Sequence, residues 1–243
     1  MNFNQIPTQA LYELYLTDIM GTTTPKSEIT KVTNLILDSA EMQEEISRKT
    51  GEPEIKDVIN KGLERSKASQ KDHPEFKAYL KIWDIGAQIG YKEGKLAMSL
   101  EEGVGEALEY IRNAGGRIRV FSSGAVESSS LGMKSNGLDE LIEAYHSSSQ
   151  PEIGSKFKPD AYREIARQAG VDVKDMVYVT DDVKEAKVAV EAGVGKVFLI
   201  DKKAEKTGEK DGYTVVKNYK QVADQTTQKD NKQSGAEKAE ASE

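Results

Sequence analysis

Leu14-Tyr-Leu-Thr-Asp18-Ile-Met20-Gly21-Thr22-Thr-Thr24-Pro25 passes from an apolar tetrad straight into an acidic residue and then into small, hydroxyl-bearing residues. A strand fixes a carboxylate placed at its end, glycine lets the chain reverse sharply, and hydroxyls with exposed N–H groups meet an anion. Chemistry of this kind belongs to phosphoryl transfer through an aspartyl nucleophile, with Asp18 attacking and Gly21 and Thr22 beside the phosphate. Met20 is the odd member, since a thioether neither gives nor takes a useful proton.

Working outward, residues 10–17 read as one strand, and from Pro25 to about Leu100 helical spacing takes over. Ile29, Val32, Ile36 and Ala40 share one helical face, in a helix that Gly51-Glu-Pro53 ends. Ile55 to Leu63 and Phe76 to Ala87 predict two more, so three helices are expected between the first strand and the rest. Beyond them helix and strand alternate. Val104–Ile111 is helical up to Gly115-Gly116, and Arg117–Phe121 is a strand running into Ser122-Ser123-Gly124. Residues 159–169 form a helix, Asp175–Thr180 a strand ending in Asp181-Asp182, and Glu185–Ala192 a helix. Lys196–Ile200 and Tyr213–Val216 are further strands. This order predicts an α/β fold: a Rossmann-like parallel sheet with helices on both faces and an all-helical cap inserted after the first strand. The expected division is a core of residues 1–25 and 100–223, a cap of 26–99 and a disordered polar tail of 224–243.

Composition narrows the function classes. The 243 residues carry a formal charge of −7 and no cysteine, which argues against nucleic acid as a partner and excludes thiolate chemistry. No run approaches the length of a membrane helix and the start lacks a secretory pattern, so a cytoplasmic protein without a membrane partner is expected. Oligomeric state is not legible, a monomer being the default. With only two histidines, a His-rich metal site is hard to build. His73 reads as a loop residue, and His146, after a short apolar run, as one that could face the site.

In open parallel sheets ligands sit at the carboxyl ends of the strands. Asp18, Ser122-Ser123-Gly124 and Asp181 all fall there, with Lys156 and Lys158 in a loop between the last two. They supply a nucleophile, hydroxyl and backbone donors for phosphate oxygens, a cation, and two carboxylates sufficient for Mg²⁺ with substrate and water. Each feature alone has a plainer reading: an aspartate after a strand usually caps a helix, and a loop lysine is usually solvated. Their joint placement carries the argument. Two other glycine motifs do not compete: Gly193-Val-Gly-Lys196 leads into a strand rather than a helix, and Gly103-Val-Gly105 follows no strand.

The pattern resembles the haloacid dehalogenase-like hydrolases and, within them, the acireductone synthase (enolase-phosphatase) group. The residues that carry it are Asp18-Ile-Met-Gly-Thr-Thr-Thr24, Ile82-Trp83, Gly90-Tyr-Lys-Glu-Gly-Lys-Leu96, Phe121-Ser-Ser-Gly124, Ile153-Gly-Ser-Lys156, and Val179-Thr-Asp181 with Glu185. The resemblance implies a Mg²⁺-dependent phosphatase of small phosphorylated metabolites working through an aspartyl-phosphate. Its implied substrate is 2,3-diketo-5-methylthiopentyl-1-phosphate, enolised and then dephosphorylated in methionine salvage. It assigns Asp18 as nucleophile, Lys156 as the cation with Lys158 as its competitor, and Ser122, Ser123 and Gly124 as the phosphate loop. Asp18, Asp181 and the Met20 backbone carbonyl become the metal ligands. That group carries glutamate as general acid where this chain has Met20. A phosphatase for a better leaving group, or a weakly active phosphometabolite-binding protein, is therefore the alternative.

Overall fold

In a computed structural model, which describes residues 7–68 and 73–229, the opening stretch is two strands rather than one. Strand β1 (Pro7–Ala10) ends before a bend at 11–13, and β2 (Leu14–Thr17) follows, wholly buried. Helices α1 (Ser27–Asp38), α2 (Ala40–Thr50), α3 (Ile55–Lys67) and α4 (Pro74–Lys92) come next. After them run α5 (Val104–Asn113), β3 (Arg117–Ser122), α6 (Val126–Lys134), β4 (Ala144–Ser147), α7 (Pro159–Ala169), β5 (Met176–Thr180) and α8 (Val183–Ala192). The chain finishes with β6 (Lys196–Ile200), β7 (Gly208–Lys210), β8 (Tyr213–Val216), α9 (Tyr219–Thr226) and β9 (Thr227–Lys229).

Seven strands form one sheet in the order β4-β3-β2-β5-β6-β8-β7, every pair parallel except β7 with β8. Strand β2 lies inside it, flanked by β3 and β5, which is why it reads as an unbroken apolar run. Alternation decides which face each residue serves. Leu14 and Leu16 pack with Tyr178 against Ala161 and Ile165 of α7 and Ala186 of α8. Tyr15, Ile118 and Val120 point the other way, into a core with Leu108 and Ile111 of α5 and Val222 of α9. Helices therefore cover both faces.

Between β2 and α5 the three expected helices are four. Ser39 is extended, and its hydroxyl accepts the Met42 N–H at 3.1 Å, so the long helix stops and a second is capped at once. Helix α4 opens on Pro74 behind His73, whose ring accepts the Glu75 N–H at 3.3 Å, an N-cap and not a site residue. Two stitches join this segment's ends: Glu101 N–H to the Thr23 carbonyl at 2.9 Å, and Ser99 N–H to Glu28 at 3.2 Å.

The core does not end at residue 223. Helix α9 continues to Thr226, and β9 pairs antiparallel with β1, matching Pro7 with Lys229. Thr226 is fully buried and its carbonyl accepts both the Tyr15 hydroxyl at 2.7 Å and the Leu11 N–H at 2.9 Å. The expected disordered tail thus starts too early by six residues, and its remainder lies outside the described residues. Strand β7 is an addition. Its turn, Asp211-Gly212, has φ of 50° and 83°, the left-handed pair that a tight hairpin needs.

Candidate functional site

Thr17 ends β2 with its backbone bonded into the sheet, and Asp18 N–H goes on to the Val179 carbonyl at 3.0 Å. The Asp18 side chain is 8% exposed; its Oδ1 accepts the Ile19 N–H at 2.7 Å and lies 2.6 Å from the Lys156 ammonium. Lys156 is buried and reaches Glu185 at 3.2 Å on its other side. Glu185, in the first turn of α8, also accepts the Tyr178 and Thr180 hydroxyls at 2.6 and 2.9 Å. One ammonium thus serves two carboxylates. Burial, with Glu185 adding to it, pushes Asp18 up to about 6 against the pull of Lys156. Burial opposes the charge on Lys156, but Asp18 and Glu185 outweigh it and hold the ammonium above its ordinary value. At neutral pH the aspartate keeps a nucleophilic oxygen and the lysine keeps its charge. Lys158 is exposed at the start of α7, so of the two candidate lysines only Lys156 meets Asp18.

Asp181 follows β5, the parallel neighbour of β2, which brings the two carboxylates to adjacent strand ends. Gly21 makes room for it. At φ 85° a side chain there is strained, and a Cβ would run into the Asp181 carboxylate. Lys26 lies 2.5 Å from Asp181, so a cation already sits against this oxygen set. The carboxylates of Asp18 and Asp181 are hard oxygen donors of the type Mg²⁺ takes, and the missing side chain of Gly21 leaves room for the Asp181 carboxylate.

The hydroxyl turn is placed differently from expectation. Gly21 N–H bonds the Thr24 carbonyl at 2.6 Å and Thr22 N–H the Ile19 carbonyl at 3.2 Å. Thr22 is 1% exposed with its hydroxyl buried and unpartnered, off the cavity wall. The turn closes on itself, and neither residue presents a donor to an anion. Ser122, Ser123 and Gly124 do line the cavity, where the Ser122 hydroxyl accepts the Gly124 N–H at 3.1 Å. His146 is 5% exposed on β4, beside Phe121 in the sheet, and is not on the wall.

The cavity, about 370 Å³, has Asp18, Asp181, Asp182 and the serine loop on its floor. Met20, Ile29, Leu80, Trp83 and Met98 supply apolar wall. Helix α4 adds one carboxylate, Asp84. Its Oδ1 accepts the Ala125 N–H at 3.0 Å and the Ser128 hydroxyl at 2.6 Å, and burial raises it above the ordinary carboxyl value. Sequence reasoning gave Asp84, Lys26 and Glu185 no role. The first-turn position of Glu185, four residues after Asp181, was a usable signal; Asp84, between Trp83 and Ile85 on an amphipathic helix, offered none.

Comparison with known proteins agrees with this geometry. The sequence profile of the haloacid dehalogenase-like hydrolases matches residues 23–199. An enolase-phosphatase E1 of Aquifex aeolicus is 23% identical over 208 residues, 80% of this chain and 92% of that protein. Its namesake in Bradyrhizobium sp. is 25% identical over 201 residues, 77% and 85%. That of Culex quinquefasciatus is 30% identical over 135 residues, 55% of this chain but only 19% of a much longer protein. In fold, the chain is similar to a HAD phosphatase of Thermococcus onnurineus, with TM-score 0.61, 16% identity, and 87% and 96% of the two chains covered. It is also similar to the UTR4 protein of Saccharomyces cerevisiae, with TM-score 0.58, 19% identity, and 85% and 98% covered.

Proposed function

The chain belongs to the haloacid dehalogenase-like hydrolase family, and on that premise we propose that it is a phosphatase of small phosphorylated metabolites, with Asp18 as nucleophile. The observation that carries this reading is the buried Asp18–Lys156–Glu185 cluster at the carboxyl end of β2, beside Asp181 and the serine loop. Asp18, Asp181 and the Met20 carbonyl would hold Mg²⁺, which supplies charge neutralisation between the carboxylate and the phosphate dianion. Lys156 holds the unattacking side of the Asp18 carboxylate and offsets charge as phosphorus is approached. Ser122 with the Ser123 N–H orients the phosphate oxygens, and Gly124 completes the loop around them. Helices α1–α4 act as a cap whose apolar wall accepts the carbon skeleton of the substrate and keeps water from the floor.

The likeness to enolase-phosphatases supports 2,3-diketo-5-methylthiopentyl-1-phosphate as the first substrate to test, and a cytoplasmic role in methionine salvage belongs to the same reading. Asp18→Asn should abolish phosphate release from this ester and from generic esters, measured with and without Mg²⁺. Turnover that survives the substitution would sink the reading.

Met20 on the cavity wall favours a second reading, in which the leaving group needs no proton, as in an acyl phosphate. A panel ranked by leaving-group pKa separates the two: a steep dependence belongs to the second. Phosphate binding without turnover of any ester would mark a phosphometabolite-binding protein instead.

A further inference from the structure

Breaking a bond between phosphorus and an alkyl oxygen leaves that oxygen with an electron pair, and a positioned acid there is worth roughly 10²–10⁴ in rate. In-line attack by Asp18 sends the leaving oxygen to the far side of phosphorus, toward the helices roofing the cavity. Met20 has no proton to give. The other acidic groups on the wall belong to the floor, at the end of β5 and the start of α8 beside Asp18, on the attacking side and not the leaving side. Glu185 holds Lys156, Tyr178 and Thr180; Asp182 caps α8 through the Lys184 and Glu185 N–H groups; Asp181 holds Lys26. The Tyr79 hydroxyl pairs with Thr33 at 3.0 Å.

Asp84 remains. Among the described residues it is the one carboxylate that segment 26–99 brings to the wall. It reaches across to the start of α6, directly after the serine loop: a Cβ on Gly124 would lie 3.2 Å from its Oδ1 and 3.5 Å from the Ser122 hydroxyl. Both of its hydrogen bonds fall on Oδ1, which leaves Oδ2 to carry a proton. Burial raises its proton affinity against the pull of the Ser128 and Ala125 hydrogen bonds, the direction a proton donor needs.

We propose that Asp84, reaching from α4 onto the phosphate-binding loop, is the proton donor to the leaving oxygen, a role that rests on the phosphatase reading above. An Asp18 oxygen bonds to phosphorus as the ester P–O bond breaks. The freed electron pair goes to the leaving oxygen, which takes the Asp84 proton and departs as the alcohol. Water then attacks the phosphorus of the aspartyl-phosphate and gives its proton to the Asp84 carboxylate. Inorganic phosphate and both carboxyl groups are restored.

Asp84→Asn tests this cleanly, because the amide oxygen still accepts from Ala125 and Ser128 while the acid is gone. With substituted phenyl phosphates and an alkyl phosphate, and read in kcat/KM, which reports the step that releases the leaving group and not the shared hydrolysis of the aspartyl-phosphate, the variant should lose about 10²–10⁴ on the alkyl ester and little on p-nitrophenyl phosphate. Adding Met20→Glu to the variant should return much of the alkyl rate. An equal loss across the series, or none, overturns the role. The wild-type series is a second measurement that does not depend on the variant folding: a shallow dependence on leaving-group pKa supports a proton donor, and a steep one overturns it. If the wild type turns over no ester, the phosphatase reading falls and Asp84's role falls with it.

Discussion

Glu143 and His146 show how single residues set the acid limit of this fold. Glu143, bonded by Arg117 at 2.6 Å and also by Arg119, is held at about 2. A carboxylate depressed in the folded state stabilises above its ordinary value near 4.5, and that stability is lost as pH falls toward 2. His146 is lowered to about 4 by burial and then by Arg119. The unfolded chain takes up its proton near 6.5, so the folded state is penalised as pH drops from 6.5 toward 4. Two windows follow, readable by urea unfolding across pH. Glu143→Gln should flatten the lower one and His146→Leu the upper one. If His146→Leu leaves the slope between them unchanged, the histidine is not neutral in the fold. Neither effect was legible in sequence, because His146 looked like a residue after a short strand and its surroundings come from β3 and α6.

Helices α3 and α4 meet at Gly62, where a Cβ would strike the Tyr79 side chain. Alanine is the better helix former by about 1 kcal/mol, yet overpacking a tight contact costs about 1–3 kcal/mol. Gly62→Ala should therefore destabilise on balance, measured by denaturant midpoint. Because Tyr79 and Leu63 both line the cavity, KM should rise as well. A gain in stability would show that α3 shifts freely. Elements of this kind were well announced where period and punctuation agree: α7 at 159–169 begins on Pro159 and ends at Gly170, as read from the sequence. They were poorly announced where a single residue redirects the chain. Ser39 divides one helical stripe in two because its cap competes with the helix, and apolar spacing alone does not register that contest.

At the scale of the whole molecule, the alternating pattern was enough to order the sheet's strands as parallel and to bring Asp18, Ser122 and Asp181 to one edge. It was not enough to find the closure of the fold, because the polar run after Ala223 carries no apolar face and its order comes from long-range hydrogen bonds to Tyr15 and Leu11. Ending the chain at Ala223 should lower the melting temperature by several degrees, given about 2–4 °C per kcal/mol for a chain of this size, whereas ending it at Lys229 should not. Equal melting of the two would mean that β9 contributes nothing.

Pairing of Pro7 with Lys229 also has a consequence for architecture. Ala10 and Glu13 bond to Ala114 and Asp175, which lie just ahead of β3 and β5, so Pro7 and Lys229, the first and last described residues, lie side by side near the pole where the strands begin. Asp18 sits at the other pole. A partner domain grafted at Pro7 or Lys229 would therefore be joined on the side of the sheet away from the cavity.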